Sequence, residues 1–266
     1  MLSAYNANGK QVIACDVTKA DGPFTCPECQ GEVILKQGLE KVHHFAHVPP
    51  FACSHGTGES KEHRAAKQEV YKALKLAPEV SLLMVERFVK HAQGNVFLDV
   101  SCRVRNRHLL TIELQYSQKS PAELRQRTIL YTASGIHVLW LLPYPEDLSE
   151  GEIYATKQME RYMQALYFGT VYYWLGGDLV LPVHYHRYSL GSVYHEWFDD
   201  DKEQWNEGFV EQYPRNFSRI PEFHQEVRIT DLKPLTRQAG KFGRFSLPAG
   251  RLWGLDKPWF RSKYIE

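Results

Sequence analysis

VFLDVSCRVRNRHLLTIELQYS, residues 96–117, is the stretch from which the fold can be predicted. Apolar and polar residues alternate both before and after the polar triplet at residues 105–107. Alternation with period two is typical of half-buried strands, and a turn-capable triplet between two such strands indicates a hairpin. We therefore predict two antiparallel strands whose chain reverses at Asn106.

Reversal at Asn106 places Asp99 directly opposite Glu113. The Cβ atoms of opposed strand residues lie about 4.5–5.5 Å apart, so two carboxylates there repel each other. A divalent cation such as Mg²⁺ would offset this repulsion, because hard cations bind carboxylate oxygens. The alternative interpretation is two strand carboxylates that face water and bind nothing.

The composition sets limits on the kind of protein. The chain has 266 residues, 43% hydrophobic and 24% charged, which is typical of a soluble protein with one or more full domains. Its net charge of +1 means that any nucleic-acid binding must come from local patches. The sequence shows neither a signal-peptide pattern nor a membrane-spanning apolar run, so we predict a cytoplasmic protein without a membrane partner.

The five cysteines are clustered and odd in number, which favours metal binding over disulfides. Cys26 and Cys29 form a C-x-x-C knuckle, and zinc needs four tetrahedral nitrogen or sulfur ligands. The second ligand pair must come from His44, His47 and Cys53. We favour His44 and His47, although the sequence leaves the choice open. A segment this short needs a metal to hold a core, so we predict a structural zinc site.

Two helices flank the hairpin. The first is expected from about residue 60 to 77, where Pro78 stops it, with Glu59, His63 and Lys67 spaced four apart. The second begins at Ser120 with a capping box and ends before residue 135. The apolar run at residues 136–142 then predicts a strand buried on both faces. Helix, hairpin, helix and buried strand together indicate an α/β unit with a mixed sheet.

The C-terminal third carries weaker signals. Apolar residues at helical spacing extend over residues 155–174, and Pro182 suggests that residues 179–183 form an edge strand. The acidic residues 196–211 are expected to form a solvated loop or linker. In the last residues, basic and aromatic side chains alternate, so this tail either binds single-stranded DNA or packs on the domain. The candidate nucleic-acid contacts there are Lys241, Arg244, Arg251, Trp253, Trp259 and Arg261.

Several short motifs, spread over about residues 15–142, carry a resemblance to a known family. They are TCPEC, HHFAH, GES-x-x-H-x-x-x-K, FLDV, IELQYS-x-x-S, R-x-x-x-Y and VLW. In order and spacing they resemble the competence protein CoiA-like family. The resemblance implies an α/β fold with a restriction-endonuclease-like mixed sheet flanked by helices. It implies a zinc-ribbon-like module at residues 1–56, a PD-(D/E)xK-type nuclease core at 57–190 and an aromatic-rich C-terminal extension at 191–266.

The resemblance also implies an activity, which is Mg²⁺- or Mn²⁺-dependent cleavage of incoming or recombining DNA, single-stranded or branched. Glu59 then looks like the acid near the first core helix. Asp99, Glu113 and the carbonyl of Leu114 look like the metal ligands. A non-catalytic DNA-binding adaptor that uses the zinc module and the tail is the alternative, and no protein partner can be named.

Gln115 departs from the superfold, because a lysine usually stands at its position. Glutamine there is similar to the family's own E-x-Q, and Lys67 or Lys119 could supply the missing charge. Arg127 and Tyr131 resemble a helix motif that follows the active site of related nucleases, where glutamine is usual in place of arginine. We therefore expect Gln115, Lys67 and Tyr131 in the catalytic site and Arg127 near the nucleic acid.

Overall fold

The computed structural model describes residues 1–50, 53, 55–56, 58–91, 94–214 and 216–256. Its N-terminal part is a small antiparallel sheet with the strand order β2-β1-β3-β4-β5. The strands are β1 (Ser3–Asn6), β2 (Gln11–Ile13), β3 (Phe24–Thr25), β4 (Glu32–Lys36) and β5 (His44–His47), with a 3₁₀ turn at Lys19–Asp21. Phe24, Val33 and Phe45 form the centre of its small core.

The middle of the chain builds the predicted α/β unit. Its elements are α1 (Lys61–Lys75), β6 (Val80–Val89), β7 (Val96–Val104), β8 (His108–Leu114), α2 (Pro121–Ala133) and β9 (His137–Pro143). The predicted hairpin of β7 and β8 is present, with Val100 opposite Ile112. Arg105 and Asn106 adopt the positive φ angles of 50° and 52° that a primed hairpin turn requires. The register therefore places Asp99 next to Glu113, as the alternation predicts.

Helix α2 and strand β9 also form as the sequence predicts. The Ser120 hydroxyl accepts a hydrogen bond from the Glu123 backbone N–H, and Glu123 completes the capping box. Residues 137–142 of β9 are all buried, and β9 runs parallel to β8 with Glu113 opposite Trp140. Buried residues of α1, α2 and the strands share one large hydrophobic core, which holds β7, β8 and β9 rigidly in place.

The C-terminal third adds strands to the same sheet. Its elements are β10 (Tyr154–Ala155), α3 (Gln158–Leu166), β11 (Thr170–Gly176), β12 (Leu179–Arg187), β13 (Gly191–Asp199), β14 (Gln204–Gln212), β15 (Ser218–Phe223), β16 (Val227–Arg228), β17 (Lys233–Arg237), β18 (Gly240–Phe242), β19 (Phe245–Leu247) and β20 (Gly250–Gly254). The sheet order is β10-β15-β12-β11-β9-β8-β7-β6, and β16, β17 and β20 join from the sides. Since β8, β11 and β20 run parallel to β9 and the other neighbours are antiparallel, the predicted mixed α/β class is confirmed.

Two expectations for residues 155–187 are wrong. The helix ends at Leu166 because Phe168 and Gly169 both take positive φ angles, and the chain continues as β11 between β9 and β12. Strand β12 is internal rather than an edge strand. Pro182 is tolerated there because it lies where β15 gives way to β16, and its carbonyl accepts a hydrogen bond from His224 N–H.

The segment after residue 190 also differs from expectation. The acidic stretch is not a loop, because β13 and β14 pair along nine residues each into an exposed hairpin. Strands β15, β16, β17 and β20 belong to the main sheet, so the extension is not separate from the core. Trp259 and Arg261 lie outside the described residues. In the described part of the chain, no helix is long and apolar enough to cross a bilayer.

Candidate functional site

An open cleft of about 700 Å³ lies where α1, the ends of β7 and β8, and the N-terminal module meet. Both buried and half-buried charges face it. Its polar lining includes Glu28, His55, Glu59, His63, Lys67, Glu86, Asp99, Gln115, Lys119 and Arg127. The cleft thus gathers most of the residues for which the sequence predicts a catalytic role.

Asp99 and Glu113 are brought together by the β7–β8 register. The Asp99 backbone N–H points at Glu113 Oε1 at 3.4 Å, and the Leu114 N–H donates to Asp99 Oδ2 at 3.0 Å. Each acid is thus fixed by the backbone of the neighbouring strand. Rigid strands are the elements that hold metal-binding or catalytic side chains most accurately.

Glu113 is 1% exposed, which is unusual for an acid. Thr111 Oγ1–H donates to its Oε1 at 2.7 Å, and Arg127 Nη2 lies 2.5 Å from its Oε2. Burial raises the pKa of Glu113 to about 7. Arg127 opposes this rise, and the charge of Asp99 adds to it. A carboxyl in this environment gains from any additional cation nearby.

His63 lies between Glu59 and Asp99. Its Nδ1 is 3.1 Å from Glu59 Oε1 and its Nε2 is 3.1 Å from Asp99 Oδ2. A neutral imidazole has one N–H and can donate to only one of the two carboxylates, whereas an imidazolium can donate to both. Burial alone would raise the pKa of Asp99, but the hydrogen bond with His63 and the charge of Lys67 lower it below its ordinary value. Asp99 is therefore held as a carboxylate.

Lys67 is 3% exposed and makes two short ion pairs. Its Nζ lies 2.5 Å from Glu59 Oε1 and 2.6 Å from Glu86 Oε1. Burial would lower the pKa of Lys67, but the surrounding carboxylates raise it, so the ammonium is retained. The structure thus places Lys67 in the cleft beside Glu59. Lys67 is one of the two lysines that the sequence analysis named as a replacement for the cation missing at Gln115.

Glu86 and His63 are cleft residues for which the sequence analysis predicted no role. Glu86 takes a positive φ of 53°, is 4% exposed and accepts a hydrogen bond from the Leu2 N–H at 2.6 Å. The sequence signal was a single acid inside the apolar run VSLLMVERFV of β6. For His63 the signal was its place midway between Glu59 and Lys67 at helical spacing.

Three further candidates take different positions. Gln115 donates from Nε2 to the carbonyl of Ser117 at 2.6 Å, so its amide holds the loop that follows β8. Tyr131 is fully buried, and its hydroxyl accepts a hydrogen bond from Arg127 Nε at 3.0 Å. Arg127 is therefore clamped between Glu113 and Tyr131, with its guanidinium over Trp140 at 5.2 Å. Tyr131 therefore positions Arg127. It does not line the cleft, although the sequence analysis placed it in the catalytic site.

The donor set at Asp99 and Glu113 fits a hard divalent cation. Both groups are oxygen donors, and Mg²⁺ is commonly held by one or two carboxylates together with substrate phosphate and water. A cation there would offset the unfavourable burial of Glu113 beside Asp99. Within the described residues, a separate group of Cys and His side chains also converges as the ligands of a metal ion would. It lies in the N-terminal module.

That second group consists of Cys26, Cys29, His47 and Cys53, whose ligand atoms lie within 4.8 Å of one another. Cys26 Sγ is 4.0 Å from Cys53 Sγ, and Cys29 Sγ is 3.4 Å from His47 Nε2. Tetrahedral zinc with its usual bond lengths separates two sulfurs by about 3.8 Å and a sulfur from a nitrogen by about 3.6 Å. The cluster can therefore bind a structural metal such as zinc.

The preference for His44 as a zinc ligand is wrong. His44 and His47 both lie on strand β5, where residues three apart point to opposite faces. His47 faces the cysteines, whereas His44 Nδ1 lies 2.9 Å from the carbonyl of Val42. Cys53 Sγ is the fourth atom of the cluster.

The candidate nucleic-acid residues of the tail that lie within the described residues differ in their surroundings. Lys241 and Arg251 are exposed. The Arg244 guanidinium packs over Phe217 and Phe245 at 5.4 and 5.5 Å. Trp253 is fully buried in β20, and its Nε1–H donates to the carbonyl of Ile229 at 2.8 Å. Trp253 is thus a core residue and is unavailable to stack on a base, which corrects its assignment.

Comparison with known proteins gives matches over both regions. Residues 8–56 match the family model described as competence protein CoiA, N-terminal domain, and residues 59–173 match the competence protein CoiA, nuclease-like domain. Competence protein CoiA of Bacillus subtilis (strain 168) is 32% identical over 122 residues. That alignment covers 46% of this chain and 31% of the relative, so the chain spans about a third of its length. No solved structure is significantly similar to the chain.

Proposed function

Because the chain belongs to the competence protein CoiA-like family, we propose that it is a deoxyribonuclease of the PD-(D/E)xK type that acts on DNA during competence. The proposed substrate is incoming or recombining DNA, single-stranded or branched, and the proposed cofactor is Mg²⁺ or Mn²⁺. The observation that carries this proposal is the pairing of Asp99, which lines the cleft together with Glu59 and Lys67, with the buried Glu113 on the neighbouring strand.

Asp99, Glu113 and the carbonyl of Leu114 are the groups that would hold the catalytic cation. When bound, the cation would stabilise the negative charge that builds up on the phosphate during cleavage. The Leu114 N–H that donates to Asp99 and the Asp99 N–H that points at Glu113 preorganise these oxygens, so little rearrangement is needed.

The remaining side chains of the cleft position reactants and carry charge. Lys67 supplies the ammonium that the superfold usually places at the position of Gln115, and Glu59 orients it through their 2.5 Å contact. His63 keeps Glu59 and Asp99 in register across the cleft. Arg127, held by Tyr131, lies beside Glu113 and can contact a phosphate oxygen in its bidentate manner.

For the N-terminal module we propose a structural zinc ion held by Cys26, Cys29, His47 and Cys53. All four positions are filled by protein ligands, which is typical of structural zinc, whereas catalytic zinc keeps one position open. The module has a small core of its own, and a metal adds stability that so few residues do not supply by packing alone.

The nuclease proposal is tested by incubating the purified chain with Mn²⁺ or Mg²⁺ and with single-stranded, double-stranded or branched DNA. We expect Asp99→Asn and Glu113→Gln to lower cleavage about 100-fold or more, because the bound cation contributes several kcal/mol. Glu152→Gln, which removes an exposed carboxylate elsewhere, is the matched control and should retain full activity. Full activity in a folded Asp99→Asn protein would contradict the assignment.

A second candidate function is DNA binding without cleavage. It is favoured by the engagement of Gln115 with Ser117 and of Glu113 with Arg127, since neither side chain is turned freely into the cleft. In the same assay this function would appear as DNA that is retained in a gel shift but stays intact with either metal.

A further inference from the structure

The exposed hairpin of β13 and β14 presents one face on which, over residues 194–198 and 205–209, four aromatic side chains and two glutamates alternate. Along this face, Tyr194 opposes Phe209, Glu196 opposes Glu207, and Phe198 opposes Trp205. The four rings remain between 45% and 76% exposed. In the described part of the chain, neither strand pairs with any strand other than its partner in the hairpin. The face is therefore an unpartnered sheet surface.

The two glutamates are the unexplained feature of this face. Glu196 and Glu207 are exposed and directly opposed, and like charges in that position destabilise a pair of strands. The Tyr194 hydroxyl contacts both carboxylates, but it has one proton to donate and so satisfies only one of them at a time. No lysine or arginine lies on the face between the two aromatic pairs.

The aromatic pairs stand on both sides of the glutamates. Residues two apart on a strand are separated by about 7 Å, so each pair lies about 7 Å from the glutamate pair along the hairpin. The ring centroids within the pairs are 5.8 Å apart for Tyr194 and Phe209 and 5.5 Å apart for Phe198 and Trp205. Aromatic faces attract cations, and arginine in particular stacks on them while binding carboxylates bidentately. The face thus offers rings and counter-charges to one cationic side chain.

The charge of the hairpin identifies the class of partner. Residues 191–212 contain seven acidic residues and one lysine, Lys202. A surface of this charge repels the phosphates of DNA, so its aromatic rings are not a stacking platform for bases. A basic protein segment, in contrast, matches both the charge and the rings. Aromatic residues that remain exposed together in this way mark interaction sites.

We propose that this hairpin face binds a partner protein by receiving an arginine side chain between its aromatic pairs, against Glu196 and Glu207. The neighbouring acidic residues of the turn attract the basic segment, whereas the face itself confers specificity. This function is separate from DNA cleavage, because none of these residues lines the cleft. A variant that fails to bind the partner should therefore retain the nuclease activity proposed above.

The test uses the full chain and a fluorescein-labelled hexa-arginine peptide, with binding followed by fluorescence anisotropy at about 0.15 M salt. We expect Glu196→Gln/Glu207→Gln to weaken binding at least tenfold, because the counter-charges are lost while the shape is kept. Asp200→Asn/Asp201→Asn removes the same charge at the turn, away from the face, and should weaken binding less than threefold. Trp205→Ala should weaken it as strongly as the loss of the two glutamates.

Three results would overturn the proposal. Equal losses in the two double variants would mean general electrostatic attraction, and absence of peptide binding by the unaltered chain would remove the site. Self-association that Trp205→Ala abolishes, measured by sedimentation velocity, would identify a second copy of the chain as the occupant. Thermal unfolding of each variant shows whether the hairpin variants keep the fold of the unaltered chain.

Discussion

At the scale of single residues, His137 is a histidine that the fold keeps neutral. It is 6% exposed at the start of β9, beside His108 and Trp253. Burial lowers its pKa from the ordinary 6.5 to about 4. Since the unfolded chain binds a proton at higher pH than the folded chain, stability falls as the pH drops from 6.5 towards 4.

We predict from this shift that the free energy of unfolding falls between pH 7.5 and pH 5.5 by roughly 1 kcal/mol through His137 alone. His137→Gln cannot take up the proton, so the variant should lose less stability over the same range. Urea unfolding of both proteins at the two pH values measures the difference. Equal losses in the two proteins would contradict the prediction, and other titrating groups cancel in this comparison.

The residue pairing of the site was largely predictable. Period-two alternation defined which face Asp99 and Glu113 share, because a shift by one residue would have turned the apolar positions out of the core. The preference for His44 and His47 together over Cys53 failed for the converse reason. The sequence does not show that both lie on one strand, where their separation of three sends them to opposite faces.

At the scale of elements, β20 shows how a basic and aromatic tail becomes part of a core. This strand pairs with β17 and also with β9, at Leu252 and Val138. Trp253 is fully buried beneath this pairing. Chain truncation at residue 240 would therefore remove a core strand, so any role of the tail in DNA binding has to be tested by single substitutions.

Trp253→Ala is expected to lower the free energy of unfolding by about 3–5 kcal/mol, because it leaves a large cavity and an unpaired carbonyl at Ile229. Lys241→Ala, an exposed residue of the same tail, should change it by less than about 0.5 kcal/mol. Urea denaturation measures both values. A stable Trp253→Ala protein that binds DNA more weakly would instead support the single-strand-binding arm.

Elements with strong local signals were predictable, and those set by distant partners were not. Helix α2 carries its own capping box, proline and stop signal, so it forms where the sequence predicts it. The residues of β11 carry helical spacing from the preceding helix, but pairing with β9 and β12 makes them a strand. The acidic hairpin was missed because its charges resemble a linker, whereas its alternating aromatic residues follow a strand period.

At the scale of the whole molecule, Glu86 joins the N-terminal module to the cleft. Its Oε2 accepts hydrogen bonds from the Leu2 and Ser3 N–H groups at 2.6 and 3.3 Å, and its Oε1 binds Lys67 at 2.6 Å. Lys67 and His55 hold the pKa of Glu86 well below its usual value in spite of burial. Disturbance of the module should therefore reach Lys67 and the proposed active site.

His47→Ala is expected to lose the bound zinc and to increase hydrogen exchange at the Leu2 and Ser3 amides, because the module no longer holds them on Glu86. His44→Ala is the matched control and should keep the metal, since His44 is not part of the cluster. Metal release to a chromogenic chelator measures the first effect. Equal zinc content in the two variants would contradict the ligand assignment.

The contact at Glu86 also affects how far the sequences of the N-terminal module and of the core can change independently of each other. Since this carboxylate binds main-chain amides, its hydrogen bonds do not depend on which side chains occupy positions 2 and 3, but both of those side chains are buried and Leu2 belongs to a core cluster with Tyr71 and Val85. Substitutions at these two positions therefore keep the attachment only where they fit the buried space, and proline at either position would remove an N–H that Glu86 binds. A foreign ribbon grafted onto this core would need an extended, proline-free entry strand and an apolar side chain at position 2 to pack on Tyr71 and Val85.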